Sequence, residues 1–257
     1  VRFHLSRRAK PVNANRCLAL LPNMFTIAMR WGVRPDGVNP CKHVEPFPEH
    51  KRTRFLSAAE VASLGKALAE AEQTGVTSSS VIAAIRLLML TGCRKSEILT
   101  LRWDDVDIER ALLQLRDSKT GQKVVYLNAP ALQVLSELTP VDGHPFVIPG
   151  EIEGEHANNI DHAWRKIRAS AGLTGVRLHD LRHSFASVAA GAGMSLPVIG
   201  ALLGHRDAAT TQRYAHLAAD PLKQANDLIG ARLMAAMRGA GDGQVVPITQ
   251  VPRSRTS

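Results

Sequence analysis

Apolar residues recur at helical spacing on both sides of one short β-rich stretch, and this single change of period constrains the chain more than any other feature. Ala111–Arg116 and Lys123–Asn128 are rich in strand formers and are joined by D-S-K-T-G-Q, which reads as a hairpin, with Val106–Glu109 as a third strand. Before it, Ser57 reads as an N-cap, with Glu60 completing a capping box for a helix to about Glu72. A second helix opens at Ser80, buries Val81, Ile82, Ile85, Leu88 and Met89, and stops at Thr91-Gly92, with Arg94 in the following turn and a short helix over 95–101. After the hairpin, helices are predicted over 130–138, 157–171, 179–191, 196–203, 208–217 and 222–237. The expected fold is mainly α with a small antiparallel β-sheet.

The two ends read differently from this middle. Residues 1–13 are basic and lack periodicity, so they are expected to be extended or poorly ordered. Asn15–Trp31 has a helical pattern, with Pro22 marking a kink or the true start. Gly32–Pro48 carries four prolines (35, 40, 46 and 48) and an Asp36-Gly37 pair, and reads as a linker. The division expected is therefore 1–50 as basic arm, last helix of an otherwise absent helical domain and linker, 51–238 as the main domain, and 239–257 as a disordered tail rich in Gly, Pro, Arg, Ser and Thr.

Charge points to the partner. The net charge is +9, and residues 1–60 hold eleven Lys and Arg against four acids, so seven of the nine excess charges lie there. A basic leading segment of this kind suits a polyanion such as nucleic acid. Three widely spaced cysteines, Cys17, Cys41 and Cys93, argue against a disulfide framework and for a reducing cytoplasm. No run of about eighteen apolar residues is present, so no membrane-spanning helix is expected.

The chemistry-bearing residues concentrate in Val176–Leu217. His179 and Arg182 are three apart, on one face of a helical turn. His205 follows a glycine at a helix end, and Tyr214 lies nine residues later. Arg94 and Arg182 supply two permanently charged planar forks matched to a phosphate. A phenol with a pKa of about 10 is a weak nucleophile at neutral pH unless fixed cations stabilise the charge that develops as it attacks.

With L-T-G-C-R-K-S-E-I-L-T-L-R-W at 90–103, S-K-T-G at 118–121, R-L-H-D-L-R-H-S-F-A-S at 177–187 and L-L-G-H-R-D-A-A-T-T-Q-R-Y-A-H at 202–216, the chain resembles the tyrosine site-specific recombinases, also called phage integrases, over residues 14–237. The resemblance implies the catalytic-domain fold of that family, preceded by a remnant of its helical core-binding domain. It implies Tyr214 as nucleophile, Arg94, Arg182 and His205 on the phosphate, His179 as acceptor of the tyrosine proton and Lys119 as the acid for the leaving 5′ oxygen. Glu97 is assigned to orienting Arg94, while His183 and His216 read as scaffold. It further implies double-stranded DNA as substrate, with no cofactor, metal or ATP. A homotetramer on DNA, a monomer without it, and accessory DNA-bending proteins are the implied assemblies, the stripe Leu222, Ala225, Ile229 and Leu233 docking on a neighbour or on its own domain. Rival readings are a DNA-binding protein of this fold without catalysis and a type IB topoisomerase-like nicking and closing enzyme. A zinc hydrolase using His179 and His183, spaced as in H-E-x-x-H but with Asp180 in place of the glutamate, is the remaining rival.

Overall fold

The computed structural model describes residues 2–49, 54–118, 121–217 and 221–237. The chain divides into two compact units between residues 53 and 54.

The leading unit is more ordered than its sequence pattern suggests. Arg2–Ser6 forms a helix, α1, and α2 spans Pro11–Arg30, beginning four residues before the expected Asn15 and running through Pro22. Proline in the first turn suits a helix start, because its φ is preset and its missing N–H would have had no partner there. Tertiary contacts supply what periodicity lacked. His4 is buried, stacks on Phe47 with ring centroids 4.2 Å apart, and lies 3.1 Å from the Asn15 side chain. The Asn15 amide in turn donates to the Phe47 carbonyl and accepts from its N–H. The stretch read as a linker is thus tied back onto its own unit.

The second unit is built around α4 (Ser79–Thr91), whose Ile82, Ala84, Ile85 and Leu87 are fully buried. Burying each of the larger side chains contributes about 1.5–3 kcal/mol relative to exposure. α4 packs against α6 (Ala129–Ser136) and α8 (Leu178–Gly191), while α3 (Ala58–Gln73) packs against α7 (Asp161–Ser170). The capping box is present as expected: the Ser57 hydroxyl accepts from the Glu60 N–H and the Glu60 carboxylate from the Ser57 N–H. α5 is the short helix Lys95–Leu99. The expected sheet is three-stranded and antiparallel in the order β1 (Val106–Asp107), β2 (Leu112–Ser118), β3 (Gly121–Tyr126). Leu113 faces Val125 and Leu115 faces Lys123 across the β2–β3 pair.

Two helical expectations change. Residues 157–160 precede α7 rather than starting it. The stretch 208–217, after α9 (Leu196–Leu203), is two 3₁₀ segments, Ala208–Thr210 and Gln212–Leu217, instead of one α-helix. The segment is pinned to α8 and α9 at short intervals, and the tighter helix serves in such short pieces. The final helix, α10, spans Pro221–Met237, and Ile229 and Leu233 of its apolar stripe are exposed. Leu222 and Ala225 lie outside the described side chains, as the proposed tail 239–257 lies outside the described residues. No helix among the described residues is long and apolar enough to cross a membrane.

Candidate active site

Two left-handed glycines set the backbone of the site. Gly92 ends α4 at φ +64° and turns the chain so that Arg94 becomes the residue before α5. Gly204 ends α9 at φ +68° with the paired bonds of a Schellman motif, Gly204 N–H to Ala201 O and His205 N–H to Gly200 O. Neither position has room for a side chain: a Cβ would meet Phe185 at 2.7 Å from Gly92 and Lys123 at 2.8 Å from Gly204.

These helix ends hold Arg182. Its guanidinium donates to the Gly92 carbonyl at 2.6 Å and to the Leu203 carbonyl at 2.7 Å. Carbonyls at helix C-termini lack partners within their own helices and sit at the negative end of the helix dipole, so a buried cation is well placed between two of them. Arg182 is only 4% exposed, and burial together with the nearby Arg94 lowers its pKa without bringing a guanidinium near neutrality. Two of its five N–H donors are used in these bonds, which leaves donors for an anion.

Glu97 organises the other cations. Its carboxylate accepts from the Arg94 N–H at 2.9 Å and from Arg94 Nη1 at 2.6 Å, and it lies 3.2 Å from Lys123 Nζ. Burial works to raise this carboxyl's pKa, but the Arg94 N–H, Lys123 and the Arg94 guanidinium outweigh it, and the net shift is downward. Glu97 is therefore a buried anion between two cations. Lys123, 8% exposed, was not among the residues expected here. The available signal was strand alternation, which puts it on the same inward face as Val125. Lys119, expected here, lies outside the described residues.

His205 is half-buried, and its Nδ1 lies 2.8 Å from the hydroxyl of buried Thr211. Burial, then Arg182 and Arg94, push its pKa down to about 4, so the ring is neutral at pH 7. If Thr211 donates to Nδ1, the ring proton sits on Nε2, ready to be given to an anion. Thr211, missed by the sequence reading, fits because Gly200 beside it has no side chain: a Cβ there would lie 3.0 Å from the Thr211 hydroxyl.

Tyr214 is on the second 3₁₀ segment, 4% exposed, packed in a small cluster with Ala186, Ala189, Ala190, Ile199 and Leu203. Burial raises its phenol pKa, although Arg213 and Arg182 oppose the shift, so the hydroxyl keeps its proton at neutral pH. That hydroxyl lies 2.6 Å from His183 Nδ1. His183, read from sequence as scaffold, is thus in contact with Tyr214, the residue expected to be the nucleophile. His179, expected to receive the phenol proton, stacks edge-on against His183 with ring centroids 4.9 Å apart. Burial and then Arg182 lower the His179 pKa.

The zinc-helix reading finds no support in this geometry. Asp180, which would take the catalytic glutamate's place, is fully buried and accepts from the Arg177 N–H and guanidinium at the start of α8. His183 Nδ1 is engaged with Tyr214.

A family model described as the phage integrase family matches residues 54–220. The shufflon-specific DNA recombinase of Escherichia coli is 30% identical over 220 residues, covering 83% of this chain and 54% of that protein. Tyrosine recombinase XerA of Saccharolobus solfataricus is 30% identical over 148 residues, covering 54% of this chain and 46% of its own length. The chain thus spans about half the length of these two curated relatives. Among solved structures, the Tn1549 transposon integrase in complex with transposon right-end DNA superposes with a TM-score of 0.66 at 18% identity, over 89% of this chain and 84% of that one. At that identity the likeness speaks for the fold.

Proposed function

Since the chain belongs to the phage integrase family, we propose that it cuts and rejoins duplex DNA at specific sites through a tyrosine-linked intermediate. The observation that carries this reading is a protonated phenol within the electrostatic reach of Arg182, beside a site where Arg94, Glu97, Lys123 and His205 converge. Tyr214 Oη attacks a backbone phosphorus, forming the Oη–P bond while the P–O5′ bond breaks. The products are a 3′-phosphotyrosine and a 5′ hydroxyl. Arg94 and Arg182 hold the nonbridging oxygens, and His205 donates a further hydrogen bond. These groups act where charge grows in the transition state, and their fixed positions require no reorganisation.

By the family pattern Lys119 protonates the leaving 5′ oxygen and His179 receives the phenol proton. A 5′ hydroxyl from a second strand then reverses the chemistry, and because the phosphotyrosine conserves the bond, ATP is not needed. Four protomers on two DNA sites, acting in the cytoplasm with DNA-bending proteins, complete the proposal. The similarity to integrases solved with DNA supports duplex DNA as the substrate.

The test uses a pool of nicked duplexes of randomised sequence, in which the strand released by cleavage is too short to remain annealed. The unmodified chain should accumulate a covalent protein–DNA adduct. Tyr214→Phe should abolish the adduct while retaining DNA binding in a gel-shift assay, and Tyr126→Phe should leave it intact. An adduct with the Tyr214→Phe chain would refute the assignment of the nucleophile.

A further inference from the structure

The hydroxyl of Tyr214 has a partner that lies within the quoted motifs but was assigned only a scaffold role, His183. We propose that His183, through Nδ1, is a catalytic residue that takes the Tyr214 proton as Oη attacks the phosphate. The inference rests on the strand-transfer reading above and replaces His179 of the family pattern with His183 as the acceptor of the phenol proton.

The contact is direct, at 2.6 Å between Nδ1 and Oη. The phenol is held protonated by burial, and burial together with the His179 and Arg213 neighbours brings the His183 pKa to about 4. The phenol therefore donates and Nδ1 accepts, which fixes the His183 ring proton on Nε2. With its hydrogen directed at Nδ1, Oη keeps lone pairs free for phosphorus. His179 lies behind His183, edge-on to its ring, as the second imidazole of the pair.

In the forward step the Oη–P bond forms and the P–O5′ bond breaks. The Oη proton passes to the Nδ1 lone pair, making His183 an imidazolium, and the 5′ oxygen takes a proton from the Lys119 ammonium. In the reverse step the 5′ hydroxyl gives a proton back to Lys119, and Oη regains its own from His183 as the phosphotyrosine bond breaks. The low basicity of His183 belongs to a site without DNA. Two of the groups that depress it are the cations Arg213 and Arg182. A phosphodiester anion bound beside them offsets their repulsion and raises the basicity of His183 when a proton acceptor is needed.

The test replaces Tyr214 with difluorotyrosine, whose phenol ionises near neutral pH and needs little help from a base. Adduct formation on the randomised nicked-duplex pool is timed with each nucleophile in the unmodified, His183→Asn and His179→Asn chains. Asparagine offers an acceptor oxygen near the place of Nδ1 but cannot take up a proton. With ordinary Tyr214, His183→Asn should slow the adduct by roughly 100-fold, in the range of general acid–base effects. With difluorotyrosine that gap should close to a few-fold, whereas the gap for His179→Asn should stay as it was. An equal His183→Asn defect with both nucleophiles overturns the inference, as does closure in the His179→Asn chain instead. His183→Gln is carried alongside, so a folding defect in one variant leaves the comparison standing in the other. Absence of adduct from the unmodified chain would overturn the strand-transfer reading itself, a separate outcome seen on the same gel.

Discussion

The arginine side of the candidate site and the segment carrying Tyr214 are held by different kinds of bond. Arg182 is fastened to two main-chain carbonyls at the ends of α4 and α9, and Arg94 is fixed through Glu97 and its own backbone N–H. The α4 anchor lies in the large core, where Ile82, Ile85 and Leu181 are fully buried, while the α9 anchor, Leu203, shares the small alanine-rich cluster with Tyr214. The side-chain contacts of the Tyr214 segment are side chain to side chain, His183 to Tyr214 and Thr211 to His205. The cationic half is preorganised by the fold itself. The Tyr214 half depends on individual side chains, two of which are imidazoles.

The largest effect that should sharpen this contrast comes from Arg182→Lys. Lysine keeps the charge but cannot span the Gly92 and Leu203 carbonyls while also presenting a planar edge to phosphate. Adduct formation should fall by about 100- to 1,000-fold, roughly 3 kcal/mol, by analogy with loss of an oxyanion donor. Activity near that of the unmodified chain would mean that the carbonyl-anchored geometry is dispensable.

A smaller effect is expected on the other side. Thr211→Val keeps the shape but removes the hydroxyl that fixes the His205 ring. One lost hydrogen bond of about 1 kcal/mol predicts a roughly five-fold slower adduct, and Thr211→Ser should restore most of the rate. A Thr211→Val loss as large as that of Arg182→Lys would erase the distinction between the halves.

The smallest effect is on stability and depends on pH. His183 and His205 both titrate near 4 in the folded chain, against about 6.5 for an unperturbed histidine. Each binds protons more weakly when folded, so its contribution is complete above about pH 6.5 and is lost as the pH falls toward 4. The melting temperature should drop by a few degrees between pH 7 and pH 5, and His183→Gln should flatten that slope. A slope unchanged by His183→Gln would place the acid sensitivity elsewhere.

The sequence made the fold legible where local rules operate. Ser57 and Glu60 announce a helix start, Gly92 a helix end, and the β-rich runs around residues 119–120 a hairpin. It misled where tertiary contacts decide: α1 forms because His4 finds Phe47 and Asn15, residues no periodicity could connect to it. The site divides in the same way. Arg94, Arg182, His205 and Tyr214 were visible as ordered motifs. Lys123 lay outside those motifs, and Thr211 and His183 lay within them without the contacts that single them out, since these come from partners set by the fold, namely Glu97, His205 and Tyr214.

The 3₁₀ character of residues 212–217 has a consequence for how this segment can change over time. Side chains three apart on such a helix lie nearly in line, and the Tyr214 N–H donates to the Thr211 carbonyl at 3.0 Å. One turn therefore couples Thr211, which sets His205, to Tyr214. Inserting or deleting a single residue between them would rotate one by about a third of a turn relative to the other. A change in its length would separate His205 from Tyr214, so this interval should be closed to length variation while neighbouring loops remain open to it.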